Sequence, residues 1–477
     1  MSQAKRILLY YLIILGLAYA LIKLIPINFQ PATWQLTKSD AIIGTATDSI
    51  EALDTIALSF EKPDSLVVND SIPLVKDTIV SSDFLSYPTA FHTQLKKLKK
   101  ALAESVQNNE VIRILHFGDS QIEGDRITAY LREAFQEKYG GSGPGLISIL
   151  DLQRLNPSVW LEHSKSWRLH SIYAKPKQDS INRFGLMGQT ALLPPNTRAF
   201  FKMSRSPWAE SHASNYQQIR LFIAPHADSI LINGSIKSTE IINDTLGRSD
   251  ELTEINWTFP EPSPSLKIYL ESKTQLNILA CALDSTSGVA VDNIALRGQN
   301  TPLLQHTDGE LFQAMGEHLN IGMVIFQYGT NMVPVKRKQY GFYKKILTQQ
   351  FELLQQYIPN VPVLVVGISD AAFNKDGKTE SYKHLTKIRD AQKETAHKYG
   401  FAFFDLYEAM GGEGAIIDWS NQSPPLALTD YIHFTRLGGK HAAELINKSL
   451  ITELDKIKSI ESIPLIMRID STSWNNY

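Results

Sequence analysis

Residues 111–139 constrain this chain more than any other stretch. Residues 111–117, V-I-R-I-L-H-F, form an apolar run of the length of a buried strand. The run stops at Gly118-Asp119-Ser120. Ile127, Leu131 and Phe135 then recur at i, i+4 and i+8, the spacing of one helix face. The helix is expected to end at Tyr139, before Gly140-Gly141. A strand that turns through glycine and serine into a helix exposes a serine at the edge of an α/β sheet. That serine is either a nucleophile or a cap, because Ser120-Gln121-Ile122-Glu123 also spells a capping box.

Three further segments supply what a nucleophilic serine would need. Asp430-Tyr431-Ile432-His433 sets a carboxylate three residues before an imidazole, ahead of a helical segment at 441–450. The carboxylate can fix the ring's tautomer while the ring takes a proton from serine. Alone, the D-x-x-H pattern also recurs in solvated loops. Tyr328-Gly329-Thr330-Asn331 ends a second apolar run, 321–327. Ligands of open parallel sheets bind at the carboxyl ends of strands, so Ser120 and Asn331 are expected on one rim. An amide there can donate to a developing oxyanion, although asparagine is also an ordinary turn residue. Gly298, in I-A-L-R-G-Q-N, would let a backbone N–H approach a reacting carbonyl.

Together and in this order, the four segments resemble the SGNH (GDSL-type) hydrolase family. Gly118-Asp119-Ser120 with Gly124 matches the family's serine block. Gly298 matches its glycine block, Gly329-x-Asn331 its asparagine block and Asp430-x-x-His433 its last block. The resemblance covers roughly residues 90–155 and 290–450. Within the family the chain looks most like periplasmic peptidoglycan O-acetylesterases. Those share a Y-G-T-N block, a G-x-G-P-G-like stretch (here 141–145) and an inserted β domain. Two positions depart from the pattern: Gln121 stands where that subgroup often has His, and Met332 where many members have an acid. The resemblance implies Ser120 as nucleophile, His433 as base and Asp430 as its orienting partner. It also implies an oxyanion hole from the Ser120 and Gly298 N–H groups and the Asn331 amide. The implied activity is removal of O-acetyl groups from an envelope glycan. An O-acetyltransferase using the same triad, or a non-catalytic glycan-binding scaffold, are the alternatives.

The remaining chain is read from pattern. Apolar strands alternate with helical stretches at 309–318, 338–357 and 381–398, which predicts a doubly wound parallel sheet of the flavodoxin-like kind. Between its two parts, 86–155 and 289–460, residues 156–288 are rich in short β-branched and aromatic runs. They are expected to form an inserted β-sandwich. Asn233-Gly234 reads there as a turn. Trp160, Trp167, Trp208 and Trp257 fall in this insert, either as core or as sugar-stacking surfaces.

Residues 7–27 are apolar apart from Lys23 and Pro26, and Lys5 and Arg6 precede them. About 20 such residues span a hydrocarbon core. Residues 1–30 are therefore expected to be a cytoplasmic stub and uncleaved anchor in a bacterial inner membrane, with the body in the periplasm. A cleaved signal peptide, using Leu17-Ala18-Tyr19-Ala20, is the competing reading. Residues 31–85 are acidic and polar with a loose D-[S/T]-[I/L] recurrence, read as a flexible linker rather than a few short strands. Residues 461–477 read as a tail. A net charge of −2 without basic aromatic strips argues against a nucleic-acid partner. The lone Cys281 rules out an intrachain disulfide and a cysteine metal site. No cofactor and no metal are expected, since no H-E-x-x-H pattern occurs.

Overall fold

A computed structural model of the chain describes residues 78–150, 157–172, 183–236, 239–260, 262, 265–334 and 336–457. The expected membrane span at 7–27 and the tail at 461–477 lie outside them, as does the linker up to residue 77. Among the described residues no helix is long and apolar enough to cross a membrane.

Five parallel strands build the central sheet. Val111–Gly118 lies between Gly288–Ala295 and Ile321–Gln327. Val363–Val366 and then Ala402–Phe404 extend the sheet past Ile321–Gln327. In chain order the strands run second, first, third, fourth, fifth across the sheet. The winding direction therefore reverses between Val111–Gly118 and Ile321–Gln327, which is where a doubly wound sheet opens a crevice. A hairpin, Ile79–Ser82 with Leu85–Pro88, caps the far edge antiparallel to Ala402–Phe404. Ordered sheet thus starts at Ile79, inside the stretch expected to be linker.

Strand alternation explains the layering. Leu115, Phe117, Val324, Phe326, Val363 and Val365 face one side, against Phe312, Leu347, Phe351 and Ile388. Ile112, Ile114, Met323, Ile325, Leu364 and Val366 face the other, against Phe91, Leu95, Leu131, Phe135, Ile446 and Leu450. Successive strand residues point to opposite faces, so a strand covered on both sides must be apolar throughout. Burying each such side chain contributes roughly 1.5–3 kcal/mol.

The insert is a β-sandwich of two antiparallel sheets. Its boundary lies earlier than residue 156, because Gly145–Ile147 pairs with the sandwich strand Leu276–Asp284. Asn233-Gly234 is not a turn. It lies inside the strand Ile230–Ile236, and the register slips beside it, between Gly234 and Ser235. Glycine here serves a bulge instead of a reversal. The sandwich is not a separable bead. Its Phe222, Leu279, Ala280 and Ala282 share one core with Phe312 and Met315 of the helix Gly309–Leu319. Arg113 of the first parallel strand, fully buried, also pairs with Asp284 of the sandwich and, at 2.6 Å, with Asp292.

Candidate active site

The turn after Val111–Gly118 is set by close packing. A Cβ on Gly118 would sit 2.8 Å from Ile122 and 2.9 Å from the Gln327 carbonyl oxygen, so no larger residue fits. Asp119, fully buried, accepts from the Gln121 N–H at 2.9 Å through one oxygen and from the Thr330 N–H at 3.1 Å through the other. One carboxylate therefore ties the serine turn to the asparagine turn. Burial pushes its pKa up to about 6, against these two hydrogen bonds, which pull it down.

Ser120 does not cap a helix. A short 3₁₀ turn, Glu123–Asp125, follows it, with Gly124 at φ +69°. The α-helix begins only at Thr128, runs to Tyr139 and has no side-chain cap at its start. Instead, Ser120 Oγ lies 2.8 Å from His433 Nε2. His433 Nδ1 lies 2.8 Å from Asp430 Oδ2. A carboxylate only accepts, so Nδ1 carries the proton and Nε2 presents its lone pair to the serine hydroxyl. The other Asp430 oxygen accepts from the Ile432 and His433 N–H groups at 2.9 and 3.0 Å. Partial burial works against the Asp430 charge. The bonds from His433 and Ile432 outweigh it and hold the carboxyl down at about 2.

The oxyanion candidates sit on the neighbouring strand ends. Gly298 follows Gly288–Ala295, whose exit is pinned by the Leu296 N–H on the Gly118 carbonyl at 2.8 Å. Gly298 has φ +77°, a left-handed conformation that favours glycine, and open space where a Cβ would lie. Asn331 Nδ2 donates to Gln299 O at 2.8 Å, so the asparagine turn grips the glycine loop. An amide nitrogen carries two hydrogens, and the second remains to donate. Gly329 supports this turn at φ +128°, packed against the Gln392 amide.

Two contacts were not legible as site features. Gln121, the departure from the family pattern, reaches across the crevice. Its Nε2 donates to Ile432 O at 2.6 Å and its Oε1 accepts from the Phe434 N–H at 3.4 Å, bracketing His433. Arg126 Nη1 donates to the Ser120 carbonyl at 3.0 Å. No spacing rule marks an arginine six residues after a nucleophile. His116, the histidine nearest to Ser120 in sequence, belongs to the core. It bonds Gln327 and Thr128, and burial lowers its pKa to about 4. Among the described residues no group of three or more His, Cys, Asp or Glu is placed to hold a metal ion.

This arrangement can activate a serine and stabilise an oxyanion. No family model and no curated protein matches the chain. Its fold is similar to that of a solved peptidoglycan O-acetylesterase, at 19% identity over 78% of this chain and all of the other, with a TM-score of 0.61. The chain has the SGNH-hydrolase fold. A family two carbohydrate esterase from Cellvibrio japonicus aligns over 63% of this chain and all of its own length. Its identity is 9% and its TM-score 0.25, too loose a likeness to carry any argument. Within the SGNH-hydrolase fold, Ser120, Gly298, Asn331 and His433 stand at the carboxyl ends of the strands or on the loop facing them.

Proposed function

We propose that this chain is a serine esterase that removes O-acetyl groups from peptidoglycan or a related envelope glycan. The observation that carries the reading is the unbroken relay from Ser120 Oγ to His433 Nε2 and from His433 Nδ1 to Asp430. Similarity of fold to a peptidoglycan O-acetylesterase supports the choice of substrate. Ser120 Oγ attacks the acetyl carbonyl as its proton passes to His433 Nε2. Asp430 stabilises the imidazolium. The oxyanion forms beside the Ser120 and Gly298 N–H groups and the Asn331 amide, each worth roughly 10²–10³ in rate. His433 then gives its proton to the departing sugar oxygen and leaves acetyl-Ser120. Water, deprotonated by His433, attacks that ester; the bond to Ser120 Oγ breaks as His433 returns the proton to it, and acetate is released.

The anchor belongs to this proposal too. Residues 7–27 would hold the protein in the inner membrane with the catalytic body in the periplasm. A reporter active only in the periplasm, fused after Tyr477, should then work, and a silent reporter would place the body inside. For the activity, the detergent-solubilised full chain is incubated with O-acetylated peptidoglycan and acetate is measured. Release by the wild type and none by Ser120→Ala is expected. No release from the glycan alongside hydrolysis of an aryl acetate would remove the glycan from the proposal. Faster consumption of an acetyl donor on adding a sugar acceptor would mark a transferase.

A further inference from the structure

The four tryptophans of the sandwich divide into two kinds. Trp167 is buried and donates its indole N–H to Phe200 O at 3.0 Å. Trp257 packs against the sandwich core. Trp160 and Trp208 are 48% and 71% exposed. An exposed indole leaves a large flat apolar face in water.

Both exposed tryptophans stand on segments whose neighbouring residues touch the turn and helices beside Ser120 and His433. Val159–His163, which carries Trp160, pairs with Thr197–Arg205, and Trp160 stands opposite Ser204. Just before that strand, Ser158 Oγ donates to Asp125 Oδ2 at 3.1 Å, and Asp125 precedes the arginine that holds the Ser120 carbonyl. Trp208 lies in the turn that leaves the partner strand. Its carbonyl accepts from Arg436 Nη2 at 3.3 Å, and Glu210 pairs with the same Arg436 at 2.8 Å. Arg436 is three residues past His433 and opens the last helix. The turn is also tied to the helix Thr128–Tyr139, where Glu133 pairs with His212 at 2.8 Å and accepts from Ser211 Oγ. Ser206 Oγ accepts from the Trp208 N–H at 3.2 Å. The two catalytic elements meet beside this junction: a Cβ on Gly439 would lie 2.3 Å from the Arg126 carbonyl oxygen.

We propose that Trp208 and Trp160 form a stacking subsite for the sugar rings that flank the acetylated residue of a glycan strand. This rests on the esterase reading above. A polymer whose ester reaches Ser120 overruns the crevice, and the surface that these loops build is one it can cross. A pyranose offers a C–H face to an indole while its hydroxyl edge stays hydrated, which suits an aromatic ring left open to water. A docking protein would need a broad apolar patch to bury, whereas the short run Pro207-Trp208-Ala209 is flanked in sequence by Ser204, Arg205, Ser206, Glu210 and Ser211.

The test uses the full chain in detergent, with Trp208→Ala, Trp160→Ala and Trp208→Phe. On solubilised O-acetylated peptidoglycan strands, each alanine variant should raise KM roughly tenfold with kcat little changed, and Trp208→Phe should restore most of it. Hydrolysis of an aryl acetate should not change. Independently, de-O-acetylated peptidoglycan strands should alter the wild-type tryptophan fluorescence saturably, and Trp208→Ala should lose most of that change. Unaltered KM in both alanine variants, or no saturable fluorescence change in the wild type, overturns the subsite. Failure of the wild type to release acetate from the glycan would instead strike the esterase reading, whatever the fluorescence shows.

Discussion

The two halves of the relay are built in opposite ways. Ser120 sits on a buried turn, 8% exposed, welded by Asp119 to the neighbouring strand end. Asp430 and His433 stand on a loop, with side chains 44% and 30% exposed. That loop is held mainly by its own bonds, among them Leu428 N–H to His433 O at 2.8 Å, Tyr431 N–H to Leu428 O at 3.0 Å, Thr435 N–H to Leu426 O at 2.9 Å and the Asp430 contacts. Ala372 N–H to Tyr431 O at 2.9 Å and the Gln121 bracket tie it to the rest. The carboxylates show the same contrast. Burial dominates at Asp119 and raises its pKa to about 6. At Asp430, hydrogen bonds from the loop itself outweigh partial burial and lower it to about 2. Ser120 is therefore positioned by the sheet, and His433 by its own loop, which Asp430 and the Gln121 bracket help to hold.

The largest expected effect lies on the buried side. Ser120→Ala should remove several powers of ten of ester-hydrolysis rate. It should cost only about 1 kcal/mol of stability, since one hydrogen bond and no helix cap is lost. Denaturant melts of the variant beside its kinetics check this. A loss of stability far above that would mean that the serine is structural. On the exposed side, Asp430→Asn leaves Nδ1 without its carboxylate and should lower kcat by roughly 10²–10⁴-fold. An unchanged kcat would break the relay at its outer member.

Gln121→Ala tests whether the loop is held from the buried side. Both bonds that bracket His433 go, and a misplaced base should lower kcat by up to roughly a hundredfold with little effect on KM. Gln121→His, which keeps a ring N–H at this position, should restore much of it by donating to Ile432 O. A kcat unmoved by Gln121→Ala would show that the loop positions itself.

Much of this contrast explains what could be read from the sequence. Regular local patterns mark the buried half. The strand 111–118, the glycine that only a tight turn requires, and the stripe Ile127, Leu131, Phe135 are consequences of the chain's own periodicity. All three residues are buried as that spacing implies, although Ile127 stands just ahead of the helix. The delay of the helix to Thr128 was not legible, because Ser120 and Glu123 mimic a cap by type alone. Loop contacts such as Gln121 to Ile432 join residues 311 apart, and no local pattern encodes them. The sandwich boundary at Gly145 was missed for the same reason: its strand is defined by pairing with Cys281–Leu283, far along the chain.

Smaller effects sharpen the electrostatic side of the comparison. Asp119→Asn replaces one acceptor oxygen with an amide nitrogen, so either the Gln121 or the Thr330 N–H loses its partner. A cost of roughly 1–3 kcal/mol is expected in denaturant unfolding. The pH dependence should separate the two carboxylates. Folding lowers the Asp430 pKa from 3.8, so its contribution is fully present above that value and lost as pH falls through about 2. Folding raises the Asp119 pKa, so its contribution is present below 3.8 and lost as pH rises through about 6. Unfolding midpoints of wild type, Asp430→Asn and Asp119→Asn across this range should therefore diverge in opposite directions. Parallel curves would show that the two environments are not distinct.

The central claim is that His433, held on an exposed loop, activates a serine fixed by the sheet. Reaction with a fluorophosphonate, followed by peptide mass spectrometry, tests it most directly. The account predicts a single adduct on Ser120 in the wild type, none at that position in Ser120→Ala, and labelling slowed by orders of magnitude in His433→Ala. Labelling of Ser120 at the wild-type rate in His433→Ala, or an adduct on another serine, would contradict it.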